Sequence, residues 1–139
     1  MFGRAALATH AYRRVAVESA ALGADKHQLI GLLLDGARTA ITQARAALAR
    51  GDVGAKADAS TRAIRLVDEG LKVAVDRSAG EVGESLYQLY DYCTRRLLQA
   101  HLKNDDAAYA EVSGLIGQIE SAWAGIAPGR SPTPLRPAA

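Results

Sequence analysis

Among 139 residues there is one cysteine, one phenylalanine and one tryptophan, and aromatic side chains make up only 5% of the chain. A single thiol, Cys93, excludes an internal disulfide and a cysteine-based metal cluster. Set beside Leu89, Tyr90 and Leu97, it reads as a buried small hydrophobe. Runs rich in valine, threonine and aromatics, the mark of strands, are missing. So is any stretch near the roughly 18 to 20 apolar residues that a membrane span requires. Met1 to Ala21 carries Arg4, Arg13, Arg14 and Glu18 without an unbroken apolar run, which argues against a secretory signal and for a cytoplasmic protein. Neither sign of charge dominates: 17 basic and 15 acidic residues leave a net charge of +2. Arg13, Arg14, Arg95, Arg96, Arg130 and Arg136 are too dispersed to form a nucleic-acid footprint.

What the chain does have is alanine and leucine at helical spacing, within an apolar fraction of 49%. Its length suits one domain with a modest core. Residues 1 to 22 hold mostly small apolar groups, including Ala5, Leu7, Ala11 and Val15, ahead of Gly23. They read as a mobile or short-helical N-terminal arm. Asp25 can cap a first helix that runs to about Arg50, with Leu29, Leu33, Ala37, Ala40, Ala44 and Ala47 on one face. Gly51 ends it and Asp52 caps a second helix over about residues 53 to 77. Ser78 and Glu81 have capping-box spacing for a third, which reaches His101 or Lys103 and breaks at Asn104-Asp105. Tyr109, Val112, Ile116, Ile119 and Trp123 mark a fourth. Pro128-Gly129 closes the folded part, leaving 128 to 139 as a disordered, proline-containing tail. Such short connections cannot carry the chain back to its starting end, so the expected fold is all-α, an antiparallel up-down four-helix bundle over residues 23 to 127.

Chemistry-bearing constellations are harder to find. His10, His27 and His101 fall in different elements, and neither metal-ligand spacings nor the Glu-x-x-His motifs of di-iron bundles occur. Asp35 and Asp91 are the acids set deepest in apolar patterns, and each has an arginine in reach, Arg38 and Arg95. An ion pair is the expected role, and no enzyme activity, cofactor or metal is predicted. Asp35 aligned with Asp91 also pairs Leu33 with Leu89, Gln43 with Gln99 and Ala44 with Ala100, a faint sign that helical hairpins were duplicated. Gly31 and Gly36 cost helix propensity, which leaves two readings: close packing of an intramolecular neighbour, or a groove for another chain. Tyr87, Tyr90 and Tyr92 crowd the third helix at angles that one core cannot take, so at least one is expected to be partly exposed.

Two motifs go further. Leu33-Leu34-Asp35-Gly36-Ala37, together with Leu86-Tyr87-Gln88-Leu89-Tyr90-Asp91-Tyr92 followed by Arg95 and Arg96, resembles the flagellar export chaperone family over about Tyr12 to Trp123. Leu34 departs from the tyrosine common there, and Gly23-Ala24-Asp25 departs from the usual Ser/Thr and Pro ahead of the first core helix. The resemblance implies a cytoplasmic chaperone that binds the C-terminal segment of flagellin, prevents premature polymerisation and assists delivery to the secretion apparatus, with an export-gate component as a further partner. It also implies that the arm, with Tyr12, lies over part of the binding surface. Tyr12, Leu33, Ala37, Leu86, Tyr87, Tyr90, Ile119 and Trp123 are the candidate protein-binding residues, with the ordinary bundle core as their other reading. A homodimeric structural or regulatory bundle is the rival function, since hydrophobic periodicity cannot tell a partner from a second copy. A weak homodimer is compatible with either.

Overall fold

The alanine and leucine spacing builds four helices in the computed structural model, which describes residues 26–126. The N-terminal arm with Tyr12, the Asp25 cap and the proline-containing tail lie outside the described residues. Helix α1 is Lys26–Ala49. Helix α2 begins as Val53–Arg65, passes through a π-helical turn Leu66–Leu71, and ends in one more turn, Lys72–Ala74. Helices α3 and α4 are Glu81–Lys103 and Asp106–Ala124. Each neighbours the next, and α4 closes the ring against α1. His27 at the start of α1 meets Trp123 at the end of α4, while Arg45 near the end of α1 meets Asp106 at the start of α4. The arrangement is an antiparallel up-down bundle.

The core follows the small-residue stripe. Leu34, Ala37, Ile41 and Ala44 of α1 meet Ala63, Val67 and Leu71 of α2, Cys93, Leu97 and Ala100 of α3, and Val112 and Ile116 of α4, all fully buried. Alanine at so many of these positions lets the backbones approach, and the bulk comes from a few large groups such as Tyr90 and Tyr109. The hydroxyls of Ser60 and Tyr109 hydrogen-bond at 2.6 Å across the diagonal from α2 to α4. Burial without that bond would leave two polar groups unpaired.

The breaks at Gly51 and Asn104 fall where the turn residues put them. Gly51 takes φ 72° after α1, and the Asp52 side chain accepts from the Ala55 amide at 3.0 Å to start α2. Asn104 takes φ 51° at the end of α3, and Asp105 accepts from the Ala108 amide at 3.3 Å to start α4. The joint between α2 and α3 departs from expectation. Helical structure stops at Ala74, not 77, and the Ser78/Glu81 capping box does not form. Ser78 instead sits in a short 3-10 turn, Arg77–Ala79, where its amide and hydroxyl both bond Asp76 Oδ1 at 3.0 and 2.6 Å. Asp76 outcompetes Glu81 because it is two residues away and needs no helix to be in place. Gly80 then starts α3 with φ 98°. Gly83 has its own reason: any side chain there would collide with the Asp76 main chain.

Candidate partner-binding surface

The Leu86–Arg96 motif divides its tyrosines three ways. Tyr90 points inward and is 2% exposed; burial pushes its phenol well above the ordinary range. Tyr87 is half-buried at the α2–α3 joint, with the Arg77 guanidinium 3.9 Å and the Lys72 ammonium 5.3 Å from its ring centre. Arg77 is itself held by two 2.9 Å bonds to Glu84, whose carboxyl that pairing pulls down to about 2. Tyr92 faces α4 at the surface and donates to Glu111 at 2.5 Å, beside the 2.7 Å bond from Arg96 to the same carboxylate. The expectation that one core could not take all three is met.

Both aspartates are ion-paired as expected. Asp35 lies 3.6 Å from Arg38, and Asp91 lies 3.1 Å from Arg95. Asp91 has a second partner, Lys72 of α2 at 3.2 Å, and that bond is the main reason its carboxyl is held below its usual range. The sequence carried no sign of Lys72, because the contact depends on how α2 is wound.

On α1 the candidate strip has an intramolecular neighbour. Leu33 and Ala37 are buried. The Leu33 side chain presses on Gly70, where an added methyl group would sit 3.2 Å from it, and Leu66 lies over Gly36 at 3.4 Å in the same sense. Gly31 faces Trp123. Of the two readings of the α1 glycines, close packing is the one seen. Leu33, Ala37, Tyr90 and Ile119 therefore belong to one core cluster, with Leu86 and Trp123 packed on its margin, while Tyr87 stands apart at the joint.

Trp123 is fastened at both ends. Its indole Nε1 donates to the His27 carbonyl at 2.7 Å, His27 Nε2 lies 2.9 Å from the Trp123 carbonyl, and the rings stack 4.9 Å apart. A carbonyl only accepts, so Nε2 carries the proton of this bond.

Two features escaped the sequence reading. Lys56 is 5% exposed, and its ammonium donates to the His101 carbonyl at 2.9 Å and to Asn104 Oδ1, which places a positive charge on the C-terminal end of α3. A lysine between Ala55 and Ala57 reads as solvated until the facing helix end is in place. The second is the set of exposed large apolar groups, Leu32, Val53, Val73, Leu98 and Leu102. They fall off the core-facing phase of their helices, so periodicity passes over them.

No group of three His, Cys, Asp or Glu side chains among the described residues could hold a metal ion. Cys93 is buried, and its thiol is pushed up to about 12 by burial. No described helix is long and apolar enough to cross a membrane.

Residues 8–130 match the family model described as flagellar protein FliS. The chain is 50% identical over 119 residues to the flagellar secretion chaperone FliS of Salmonella typhimurium, covering 85% of this chain and 88% of that one. Against the protein of the same name from Escherichia coli it is 38% identical over 120 residues, 86% of this chain and 88% of the other. The Bacillus subtilis protein of that name is 32% identical over 113 residues, 81% of this chain and 80% of its own. A match that spans all four helices, both sequence motifs and their aspartates leaves one conclusion: the chain belongs to the flagellar protein FliS family.

Proposed function

We propose that this protein is a cytoplasmic flagellar secretion chaperone that binds the C-terminal segment of flagellin, keeps it from polymerising early and assists its delivery to the secretion apparatus. The observation that carries the reading is the 50% identity, along nearly the whole chain, to a protein named flagellar secretion chaperone. The bundle supports it by leaving Leu32, Val73, Leu98 and Leu102 exposed and Leu66 and Ile64 only partly buried, a supply of apolar surface. An amphipathic segment that is poorly ordered when free gains most from such surface, since ordering and burial occur together. Leu86, Tyr87 and Trp123 retain some exposed surface for direct contact; Leu33, Ala37, Tyr90 and Ile119 act from beneath it. An export-gate component receives the loaded complex.

Titration calorimetry with a C-terminal flagellin peptide at cytoplasmic salt tests the reading. A one-to-one complex with a negative heat-capacity change is expected. Absence of binding at tens of micromolar peptide would reject it, and a constant homodimer in sedimentation that never takes up flagellin would favour a self-associating structural module.

A further inference from the structure

Two leucines of α3 lie on the side that faces α2 and are still open to solvent. Asp91 reaches Lys72 of α2 from that side, and Leu98 and Leu102 follow it by about two and three helical turns, at 49% and 70% exposure. The register of the two helices is set at both ends, where Lys72 meets Asp91 and Lys56 donates to the His101 carbonyl. Residues 57 to 64 of α2 therefore run beside Leu98 and Leu102. Arg62 turns to Gln43 of α1 and Leu66 to Gly36, which leaves Ala57, Thr61 and Ile64, about half a turn round the helix, on the α3 side. Alanine and threonine are too short to cover two leucines. The stripe continues one turn back to Val53, which is 72% exposed. From Val53 to Ile64 the apolar α2–α3 face is about 16 Å long, three turns of a helix.

Its margins are basic. Arg65 borders Ile64, Arg95 comes one turn before Leu98, and Lys103 follows Leu102. Arg95 shares Asp91 with Lys72, whereas Arg65 and Lys103 have no carboxylate partner among the described residues, and Asp58 on the α2 margin is already engaged. A second copy of the chain laid symmetrically on this face would set one basic margin against the other. Like charges there count against that occupant, and carboxylates on a partner helix count for it.

We infer that the α2–α3 face docks a helical stretch of the flagellin C-terminal segment whose apolar side is flanked by aspartate or glutamate. The apolar centre holds the helix, and the cationic margin selects its charge and orientation. That the helix is flagellin's rests on the reading above.

Calorimetry of the full-length protein with a C-terminal flagellin peptide decides it. Leu98→Ala with Leu102→Ala is expected to weaken binding about tenfold with little change in melting, because neither side chain is buried in the free protein. Arg65→Glu with Lys103→Glu is expected to weaken it about fivefold at roughly 50 mM salt and to lose most of that effect at roughly 500 mM, where exposed charges are screened. A charge reversal without effect at either salt overturns the acidic chemistry of the occupant. Two other occupants have their own signatures. A wild-type dimer in sedimentation that the leucine pair converts to monomer assigns the face to a second copy; a spin label on Ala8→Cys that broadens the Leu98 and Leu102 methyl signals with peptide bound assigns it to the chain's own N-terminal segment. Either result overturns the inference. If the wild type binds no peptide, the flagellin reading falls and this occupant with it; if wild type and leucine variant bind alike, the reading stands and the docking face does not.

Discussion

His27 and Trp123 each hydrogen-bond the other's main-chain carbonyl, at 2.9 and 2.7 Å, while their rings stack 16° from parallel. The two bonds join the first turn of α1 to the last turn of α4 and close the bundle at that end. Trp123→Phe keeps the stack and removes one donor, at an expected cost of about 1 kcal/mol. His27→Ala loses the stack as well. In a double-mutant cycle of His27→Ala with Trp123→Ala followed by urea unfolding, the pair should show a coupling of about 0.5–1.5 kcal/mol, and strict additivity would mean that the stack contributes nothing.

Ser60 and Tyr109 give a sharper test of buried pairing. Ser60→Ala strands the Tyr109 hydroxyl in a dry interior and should destabilise by about 1–3 kcal/mol. Adding Tyr109→Phe removes the stranded group, so the double variant is expected to be more stable than Ser60→Ala alone.

Lys56 is expected to matter more than a lysine usually does. Lys56→Met keeps the aliphatic stem but leaves the His101 carbonyl and Asn104 without their shared donor, for a loss of about 1.5–3 kcal/mol by thermal or chemical unfolding. His101 Nδ1 is already buried without a partner, and burial followed by the nearby Lys56 charge lowers the imidazole pKa. Losing Lys56 should therefore move the His101 NMR titration upward.

Acid should weaken the α2–α3 joint. The Glu84 carboxyl is lowered from 4.5 to about 2, first by its hydrogen bonds from Arg77. A depressed carboxylate contributes stability that is complete above its unfolded value and is lost as pH falls through its folded one. Its share of the acid sensitivity thus falls between 4.5 and about 2. Glu84→Gln should flatten the unfolding curve in that window and leave its shape near neutrality alone.

Tyr90→Ala separates support from contact. A ring 2% exposed leaves a large hole, and the expected cost is about 3–5 kcal/mol of fold stability. If Tyr90 acts from beneath the binding surface, the residual folded fraction will also bind flagellin peptide more weakly. Normal affinity in that fraction would remove Tyr90 from the site.

Much of this architecture is legible one residue at a time. The spacing of Leu29, Leu33, Ala37, Ala44 and Ala47 is a property of a single helix, and Gly51-Asp52 and Asn104-Asp105 end and restart helices through bonds that span a few residues. Short connections then leave little choice of topology, and the Asp35–Arg38 and Asp91–Arg95 pairs are one helical turn long. These are local interactions, and local interactions are written in local sequence. The tertiary structure decided everything that needed two elements at once. It buried Lys56 against a helix end 45 residues away, turned Trp123 back onto His27, put Asp91 within reach of Lys72 through a π turn, and let Asp76 take Ser78 from Glu81. It also divided Tyr87, Tyr90 and Tyr92 among a contact with two cations, the core and the surface. The reason is physical: an amphipathic pattern states how much apolar area a helix must cover, whereas the identity of the group that covers it is settled only when neighbouring helices meet.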